Sequence, residues 1–552
     1  MIRCLVFVAV AALVVGVAHA DDADDFAKSA IDATYLAPIE STIAGTTPSD
    51  LLLDTAFSGD GLREMWPPSD ATWSPTDDGV QIFPWTAQVQ YPGPPPVTFT
   101  KHAGYYVVGK QKNVAGDNYR AWIARYSLDG SQDTSFGTNG WIFSDAVDNV
   151  IDARIVGDKA YILANVHPFS VITTEVLCLD MSTLTGSECA GYTALWLGWT
   201  IGSTTHRTAA YGQKLAHDSR FGLYVAARII NTDRGQEVGI ARLDAETGAL
   251  VTGFGSGGYN IGLPSWAGEP NAEVSVNALL VTPTGYSGGT RLYVAGQMRR
   301  TATDHEGFIL GLGPSNGATQ TGWNWNDRSI YYENDNAGFK KDAVTALAIQ
   351  RNGKIVYAGW SETDDPKVQP MIMGRLNSDG SRDSSFCAGN ANSSISGSAC
   401  LVDPPRSNTF VTYKPDSVPV AIAERRQNRD LVVVQRFQDN GSSILIPPPG
   451  SPAYDRVRAL VQQFSANGNV MHARLAVDVP GYSAADYWSR PFAAWMGGTG
   501  LWNLGENTGV GEEVVAIVGT RLWAGSDYDA TVIHLKSNDS IFADPFGGAH
   551  SD

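Results

Sequence analysis

The chain has 552 residues, of which 43% are hydrophobic, 10% aromatic and 17% charged. This composition supports a large buried core and excludes an intrinsically disordered chain or a coiled coil. The formal net charge of −18 argues against nucleic acid as a partner, because phosphate binding needs clustered Lys and Arg. Glycine is abundant, at 58 residues, which favours many short strands joined by tight turns.

The N-terminal segment has the features of a secretory signal peptide. A basic start precedes an apolar run from Leu5 to Val17, and the small residues Ala18 and Ala20 form a cleavage site. The run has 13 residues, whereas a membrane span needs about 20. We therefore predict a signal peptide over residues 1–20, a polar tail over 21–50, and a secreted or periplasmic protein without a membrane span.

Beyond the tail, the chain repeats a β-type run that ends in a small residue. Seven copies occur, at 106–109, 161–164, 224–227, 293–296, 356–359, 431–434 and 522–525. Another β-type run and a turn precede each copy, most clearly at 344–353, which predicts a hairpin. The copies end 55 to 91 residues apart, and units of three or four strands at such spacing are typical of propeller blades.

A third β-type run follows most copies and leads into a polar turn. The turn is clearest at 125–137 and 375–386, where Asp and Gly occupy the positions that a tight turn favours. At 54–61 a similar turn occurs without preceding strands, so we expect this segment to complete the last blade. Such pairing would hide the edge strand at the seam of a ring.

At these turns the chain resembles the bacterial delta-60 repeat family, whose units follow the pattern Arg-Leu-x-x-Asp-Gly-Ser-x-Asp-x-Ser-Phe-Gly. The match is close at 125–137 and 375–386 and partial at 54–61 and 242–255. Cys387 replaces the final Gly in one copy, where a disulfide would fix the turn instead. The resemblance implies a β-propeller with structural motif residues, and it implies no activity.

The predicted fold is all-β: a single propeller of about seven blades over residues 51–548, closed by an N-terminal segment. Two stretches do not fit the blades, 62–96 and 478–511, both rich in aromatic residues and Pro. We expect them to be long loops, where function usually lies.

Four cysteines follow the signal peptide, and an even number in an exported chain predicts disulfides. Three pairings are compatible with four cysteines. We favour Cys178 with Cys189 and Cys387 with Cys400, since each pair closes a short loop. The spacings of a zinc site are absent from the sequence, and no metal ligands are predicted.

Two short motifs suggest catalysis, but turns explain them better. Residues 285–289 match the Gly-x-Ser-x-Gly pattern, which requires a strand, a sharp turn and a helix, yet here it separates two β-type runs. His217, Asp218 and Ser219 are contiguous, whereas the members of a catalytic triad come from separate segments. We therefore predict no catalytic residue.

Three acidic groups could supply the oxygen ligands that Ca²⁺ prefers, at 77–78, 333–335 and 364–365. None has the spacing of a calcium-binding loop, so solvated loops are the simpler interpretation. We expect no cofactor, with calcium the one ion left open.

Tryptophan is frequent, with 15 residues, and several lie outside the repeats. Exposed aromatic faces can stack on sugar rings, whereas buried aromatic side chains fill the gaps between blades. The candidate ligand-binding residues are Trp196, Trp199, Tyr487, Trp488, Trp495 and Trp502.

The sequence therefore predicts an exported, non-enzymatic, monomeric propeller of the bacterial envelope or exterior, which binds a glycan or a protein partner. The alternative is a polysaccharide lyase or glycoside hydrolase with its site at the channel mouth, which would require polar residues from several blades to converge there.

Overall fold

The computed structural model describes most of residues 51–537. Between these limits the description omits 54–55, 57, 59–61, 70–71, 92–96, 116–117, 146, 148, 167–171, 196, 198, 200–206, 232–234, 264–272, 283–288, 300–304, 319–341, 362–370, 388–398, 403–415, 426–428, 440–455, 470–474, 477–488, 499–500, 503–512 and 524–526. The described residues form strands, and none of them is helical.

In chain order the strands are β1 (Leu51–Leu53), β2 (Leu62–Met65), β3 (Trp73–Tyr91), β4 (Val97–Asn113), β5 (Tyr119–Ser127), β6 (Trp141–Ser144), β7 (Asn149–Val156), β8 (Lys159–Val166), β9 (Thr173–Asp180), β10 (Arg207–Asp218), β11 (Gly222–Asn231), β12 (Gly235–Leu243), β13 (Tyr259–Leu263), β14 (Val274–Val281), β15 (Leu292–Arg299), β16 (His305–Leu312), β17 (Asp342–Ile349), β18 (Ile355–Ser361), β19 (Met371–Leu376), β20 (Ala399–Val402), β21 (Asp416–Glu424), β22 (Leu431–Asp439), β23 (Arg456–Phe464), β24 (Leu475–Ala476), β25 (Ser489–Gly498), β26 (Leu501–Trp502), β27 (Glu513–Trp523) and β28 (Asp527–Ser537).

These strands form seven antiparallel sheets within the described part of the chain. Sheet 1 contains β3 to β6, with β26 added to β4. Sheets 2 to 6 contain β7 to β9, β10 to β13, β14 to β16, β17 to β20 and β21 to β24. Sheet 7 combines β25, β27 and β28 with β1 and β2 from the other end of the chain.

The first strand of each sheet is an inner strand: β3, β7, β10, β14, β17, β21 and β25. Each inner strand contacts the inner strands of the two neighbouring sheets, and β25 of sheet 7 contacts both β21 and β3. Apolar side chains fill the spaces between successive sheets, as in the cluster shared by sheets 1 and 2. The fold is therefore an all-β propeller, as predicted, while the total number of blades stays a prediction.

Every inner strand carries a β-bulge at the same place in its pairing with the second strand. The extra residues are Val80, Ile151, Gln213, Asn277, Thr345, Val420 and Phe492. Two bulges follow directly after a proline, Pro419 and Pro491. Proline is tolerated there because an inner strand is the edge of its sheet.

The bulges place the repeats more accurately than the sequence does. Opposite the residue before each bulge lie Gly109, Ala164, Ala227, Gly296, Gly359, Gln435 and Gly519. The copies predicted at 431–434 and 522–525 are therefore shifted, by one and by six residues. In the last unit, both Gly519 and Gly525 end a β-type run, and the structure places Gly519 opposite the bulge.

The two expected long loops also differ from the structure. Residues 62–96 include β2 and the 19-residue strand β3, which pairs with β4 along its length. Residues 478–511 include β25 and β26. Both stretches contain Pro within strands, and this obscured the β pattern in the sequence.

The predicted signal peptide and tail lie outside the described residues. Within the described part of the chain, no helix is long and apolar enough to cross a bilayer.

Candidate functional site

We call the end of the ring at which the inner strands begin the upper face, and the opposite end the lower face. Each inner strand is preceded in the chain by a connecting segment, which runs from the last strand or turn of the previous sheet. Six of these seven connecting segments contain aromatic residues, and the seventh, 145–148, has none. Of these residues, Trp66 and Trp199 are described, whereas Trp266, Trp323, Trp325, Phe410, Tyr413, Tyr487 and Trp488 lie outside the described residues.

Trp66 is the exposed aromatic residue of the described upper face, with 66% of its surface accessible. It directly follows Met65, which is buried opposite Ala530 at the end of β2. The segment after Trp66 is fixed by the Arg120 guanidinium, which donates a 2.8 Å hydrogen bond to the Pro68 carbonyl. A second bond of 2.9 Å joins the Val114 amide to the Thr72 carbonyl.

Arg120 is itself held in place by three neighbours. Its Nε donates to the Gln111 Oε1 at 2.8 Å, and its guanidinium lies 4.7 Å from the Trp73 ring and 4.0 Å from the Phe143 ring. Trp66 is therefore presented to solvent by a segment with a rigid base.

Trp199, which we predicted to bind ligand, is buried with 1% of its surface accessible. Its ring lies 5.2 Å from the Tyr259 ring and close to Gly239, where a Cβ would approach it to 2.8 Å. Trp199 fills a gap beside sheet 3, and this corrects the prediction for that residue.

The structure does not describe the side chains of the other five predicted aromatic residues. Trp196, Tyr487 and Trp488 lie outside the described residues. Trp495 and Trp502 lie in β25 and β26 rather than in loops, and their side chains are not described. Their role in ligand binding stays a prediction.

The Cys178–Cys189 disulfide is present, with a Cα–Cα distance of 5.4 Å. Cys387 is also disulfide-bonded, whereas the side chain of Cys400, on β20, is not described. The second pairing stays a prediction. Cys387 adopts a φ of 63°, close to the 54° of Gly137 at the equivalent turn position. Glycine adopts such a positive φ without strain, whereas at Cys387 the disulfide helps to hold the turn in this conformation.

The repeated polar turns lie on the lower face and bind their own side chains. Arg125 pairs with Asp133 at 2.7 Å, while Asp129 accepts hydrogen bonds from the side chain and backbone of Ser131. Together with a bond from Ser127, these lower the pKa of Asp129 to about 2. The polar atoms of the motif thus stabilise the turn.

His217 and Asp218 each contact a different neighbouring side chain. The His217 ring stacks on Tyr161 at 6.2 Å, and the Asp218 carboxylate accepts two hydrogen bonds from Arg220. Residues 285–288 of the Gly-x-Ser-x-Gly pattern lie outside the described residues, and the chain before and after them forms the paired strands β14 and β15.

The acidic pair at 77–78 is divided between two faces of β3. Asp77 is buried and accepts a 2.6 Å hydrogen bond from the Ala530 amide, whereas Asp78 lies 3.9 Å from the Lys110 ammonium. The two carboxylates thus have different partners, and calcium binding stays a prediction. Within the described residues, no group of three or more His, Cys, Asp and Glu could hold a metal ion.

A compact polar group occurs at the upper end of the groove between sheets 1 and 2, and we call it the groove group. It consists of Asp78 on β3, Lys110 and Lys112 on β4, Tyr119 on β5, and Asn149 at the start of β7. The Lys110 Nζ donates a 3.2 Å hydrogen bond to the Asn149 Oδ1. Burial lowers the pKa of Lys110, and the Asp78 charge acts in the opposite direction.

Sequence reasoning missed the groove group because its members lie on four strands. The alternation along β4 places Lys110 and Lys112 on one face, but only the sheet pairing and the packing of sheet 2 add Asp78 and Asn149.

The chain matches, at residues 105–136 and 350–386, a family described as a domain of unknown function (DUF5122) beta-propeller. These residues include the two closest copies of the polar turn. No curated protein matches the chain.

Three similar solved structures have low sequence identity. A PL25 polysaccharide lyase, an ulvan lyase bound to -[GlcA(1-4)Rha3S]-, is 8% identical with a TM-score of 0.41, over 77% of this chain and 89% of that chain. The S. cerevisiae core factor is 11% identical with a TM-score of 0.33, over 80% and 55%. A Bombyx mori GH32 beta-fructofuranosidase in complex with sucrose is 10% identical with a TM-score of 0.23, over 78% and 87%.

Proposed function

We propose that this propeller is an exported, non-catalytic protein that binds a glycan on its upper face. The observation that supports the proposal most directly is Trp66, which is 66% accessible although its segment is anchored by Arg120. A large aromatic side chain on a rigid base offers contact area at low cost in conformational entropy. A sugar ring can stack on such a surface.

The sequence is consistent with this proposal, because six of the seven segments that precede an inner strand contain Trp, Tyr or Phe. Most of these aromatic residues lie outside the described residues, so Trp66 carries the structural argument.

Export is supported by the apolar run at 5–17 with its cleavage site, and by the Cys178–Cys189 disulfide.

The proposal is tested by isothermal titration of the purified protein with neutral soluble polysaccharides, namely dextran, mannan, xylan and a β-glucan. We expect binding to at least one of them and a loss of about tenfold in affinity for Trp66→Ala, since Trp contacts often dominate binding energy. The matched control is Leu184→Ala, an apolar residue that is 68% accessible in a turn on the lower face. We expect no change for the control.

Absence of binding to the whole panel, or equal affinity of Trp66→Ala and the unmodified protein, would overturn the proposal. Release of reducing or unsaturated sugar ends during the same incubations would instead support the lyase or hydrolase alternative.

A further inference from the structure

The polar turn on the lower face is closed by one pair of side chains, which we call the clamp. In sheets 1 and 5 the clamp is an ion pair, of Arg125 with Asp133 at 2.7 Å and of Arg375 with Asp383 at 2.7 Å. The backbone joins the same residues, because each aspartate amide donates to the arginine carbonyl, at 2.8 and 2.9 Å. The clamp therefore holds the two ends of the turn together.

Cys178 and Cys189 occupy the clamp position in sheet 2. The Cys189 amide donates a 3.0 Å hydrogen bond to the Cys178 carbonyl, as the aspartate amide does in sheets 1 and 5. Leu179 and Glu188 form a single β-bridge, and the residues beside the clamp do the same in sheets 1 and 5. In sheet 2 the two side chains are joined by a disulfide instead of an ion pair.

The aromatic residues beside the clamp are equivalent as well. Three positions after the clamp, the Phe136 amide in sheet 1 and the Tyr192 amide in sheet 2 each donate a 3.1 Å bond to the clamp carbonyl. Phe136 lies 5.5 Å from the Tyr106 ring at 56°, and Tyr192 lies 6.1 Å from the Tyr161 ring at 55°. The sequence hides this copy of the turn, because its clamp residues are 11 positions apart instead of 8.

The turn of sheet 2 is joined to both neighbouring sheets. The Thr193 amide, directly after Tyr192, donates a 3.0 Å hydrogen bond to the Thr247 carbonyl of sheet 3. On the other side, the Leu184 carbonyl accepts a 3.2 Å bond from the Thr138 hydroxyl of sheet 1. Both cysteines are buried in the apolar cluster between sheets 2 and 3. Loss of the clamp would therefore loosen two junctions between sheets.

We propose that the Cys178–Cys189 disulfide is a covalent replacement for the ion-pair clamp, and that it makes the sheet 2 turn, residues 181–192, sensitive to redox conditions. The proposal concerns the lower face and does not depend on glycan binding. One consequence does rest on the proposed export: in a reducing compartment the chain would have an open sheet 2 turn, which closes when the disulfide forms outside.

Reduction by a dithiol is a balanced exchange. One reagent thiolate attacks a cysteine sulfur and breaks the S–S bond, and the released cysteine thiolate takes up a proton. The second reagent thiol then frees the other cysteine by closing a cyclic disulfide, so the protein gains two electrons and two protons. The two thiols are mostly uncharged at neutral pH and cannot replace the ion pair of the other turns.

Hydrogen exchange of the purified protein tests the proposal, by mass spectrometry of peptides that contain the Cys189 and Tyr192 amides. We expect exchange to be about tenfold faster after reduction with dithiothreitol, because an unclamped turn opens more often. The sheet 1 turn, residues 128–136, is the internal control and should not change. Sheet 5 is unsuitable as a control, since Cys387 is also disulfide-bonded.

Two paired variants separate the clamp from a general effect of losing a disulfide. Cys178→Ala with Cys189→Ala removes the clamp, and its exchange should be as fast as that of the reduced protein without any reductant. Cys178→Arg with Cys189→Asp introduces the ion pair of sheet 1. Its exchange should be close to that of the oxidised unmodified protein and should not respond to dithiothreitol.

Unchanged exchange after alkylation has shown both cysteines to be reduced would overturn the proposal. An Arg–Asp variant that exchanges as fast as the Ala variant would also contradict it. If the Arg–Asp variant does not fold, the oxidised and reduced forms of the unmodified protein decide. If the buried disulfide resists the reagent, the Ala variant supplies the same comparison.

The reciprocal change tests whether the clamp positions are equivalent. Arg125→Cys with Asp133→Cys should form a disulfide in air, detected as the loss of two hydrogen atoms from the intact mass. The sheet 1 turn should then also exchange faster after reduction. Cysteines that stay unpaired at these positions in the folded variant would show that the two turns are not equivalent.

Discussion

The arginine of the repeated turn illustrates how one residue connects local sequence to tertiary packing. Arg375 is buried, pairs with Asp383 at 2.7 Å, and lies 4.9 Å from the Phe386 ring. It also donates to the Ala466 carbonyl of sheet 6 at 2.6 Å, so it joins two sheets. In sheet 3, Val251 occupies the place of the aspartate, since its amide donates to the Arg242 carbonyl, and this explains the weaker motif there.

The Asp383 carboxylate should make stability depend on pH. Burial raises its pKa, but hydrogen bonds from Lys354 and Ser385 and the charge of Arg375 outweigh burial and hold the pKa below its usual range. A lowered pKa stabilises the folded state above the unfolded pKa of about 3.9, and this contribution is lost as the pH falls through the folded value.

We expect Asp383→Asn to lower the free energy of unfolding at pH 7 by about 3 kcal/mol, because it leaves the buried Arg375 without a charged partner. The loss of stability on acidification below about pH 4 should be smaller in this variant. Urea denaturation at several pH values measures both effects.

Asp379→Asn is the control within the same turn. Asp379 is exposed and accepts hydrogen bonds from Ser381, so its replacement should cost less than about 1 kcal/mol. Equal destabilisation by the two replacements would show that Asp383 has no special role.

At the scale of elements, each inner strand carries a bulge, and the bulges explain why the opposing residue is Gly or Ala in six of the seven sheets, Gln435 being the exception. A bulge brings the backbone of the inner strand close to the second strand. A Cβ at Gly359 would lie 1.9 Å from the Ala343 carbonyl oxygen, and one at Gly296 would lie 1.8 Å from that of Ser275. The sequence pattern is therefore a consequence of backbone proximity.

The polar bulge residues also connect neighbouring inner strands. The Gln213 Oε1 accepts a 2.6 Å hydrogen bond from the Val276 amide, and the Asn277 Nδ2 donates a 3.0 Å bond to the Val344 carbonyl. These bonds satisfy backbone groups on edge strands that have no further strand to pair with.

Gly359→Ala should lower the free energy of unfolding by about 1–3 kcal/mol, because the added methyl group forces the two strands apart. Thermal and urea unfolding followed by circular dichroism measures the change. Gly253→Ala provides the comparison, since a Cβ at Gly253 would meet nothing within 4 Å. A similar loss in both variants would mean that close packing at the bulge is unimportant.

At the scale of the whole molecule, sheet 7 joins the two ends of the described chain. Leu51–Leu53 and Leu62–Met65 both pair with β28, and Asp77 accepts a hydrogen bond from Ala530 across 453 positions of sequence. The outer edge of β28 is thus paired with β1 and β2, while the role of residues 54–61 in closing the ring stays a prediction.

A variant that begins at residue 67 would lack β1 and β2 and expose the edge of β28. We expect it to aggregate, or to unfold at a clearly lower temperature, because unpaired edge strands associate. Size-exclusion chromatography and thermal unfolding compare it with a variant that begins at residue 51 and retains both strands. A monomeric, equally stable shorter variant would show that this pairing is dispensable.

The sequence by itself determined the all-β propeller, the polar turns and the Cys178–Cys189 bridge. All three depend on short-range patterns: strand periodicity, the turn chemistry of Asp and Gly, and two cysteines close in the chain. Pro within β3 and β25 hid strands from the same reasoning, because an inner edge strand tolerates a residue that a central strand does not.

Only the tertiary structure decided which aromatic residues can meet a ligand and which polar residues lie together. Trp66 and Trp199 are both plausible in sequence, yet packing against Tyr259 buries one and the Arg120 contact presents the other. Asp78, Lys110 and Asn149 come together because strand pairing and sheet stacking join residues that are up to 71 positions apart. Such convergence depends on the geometry of the ring, which no local pattern encodes.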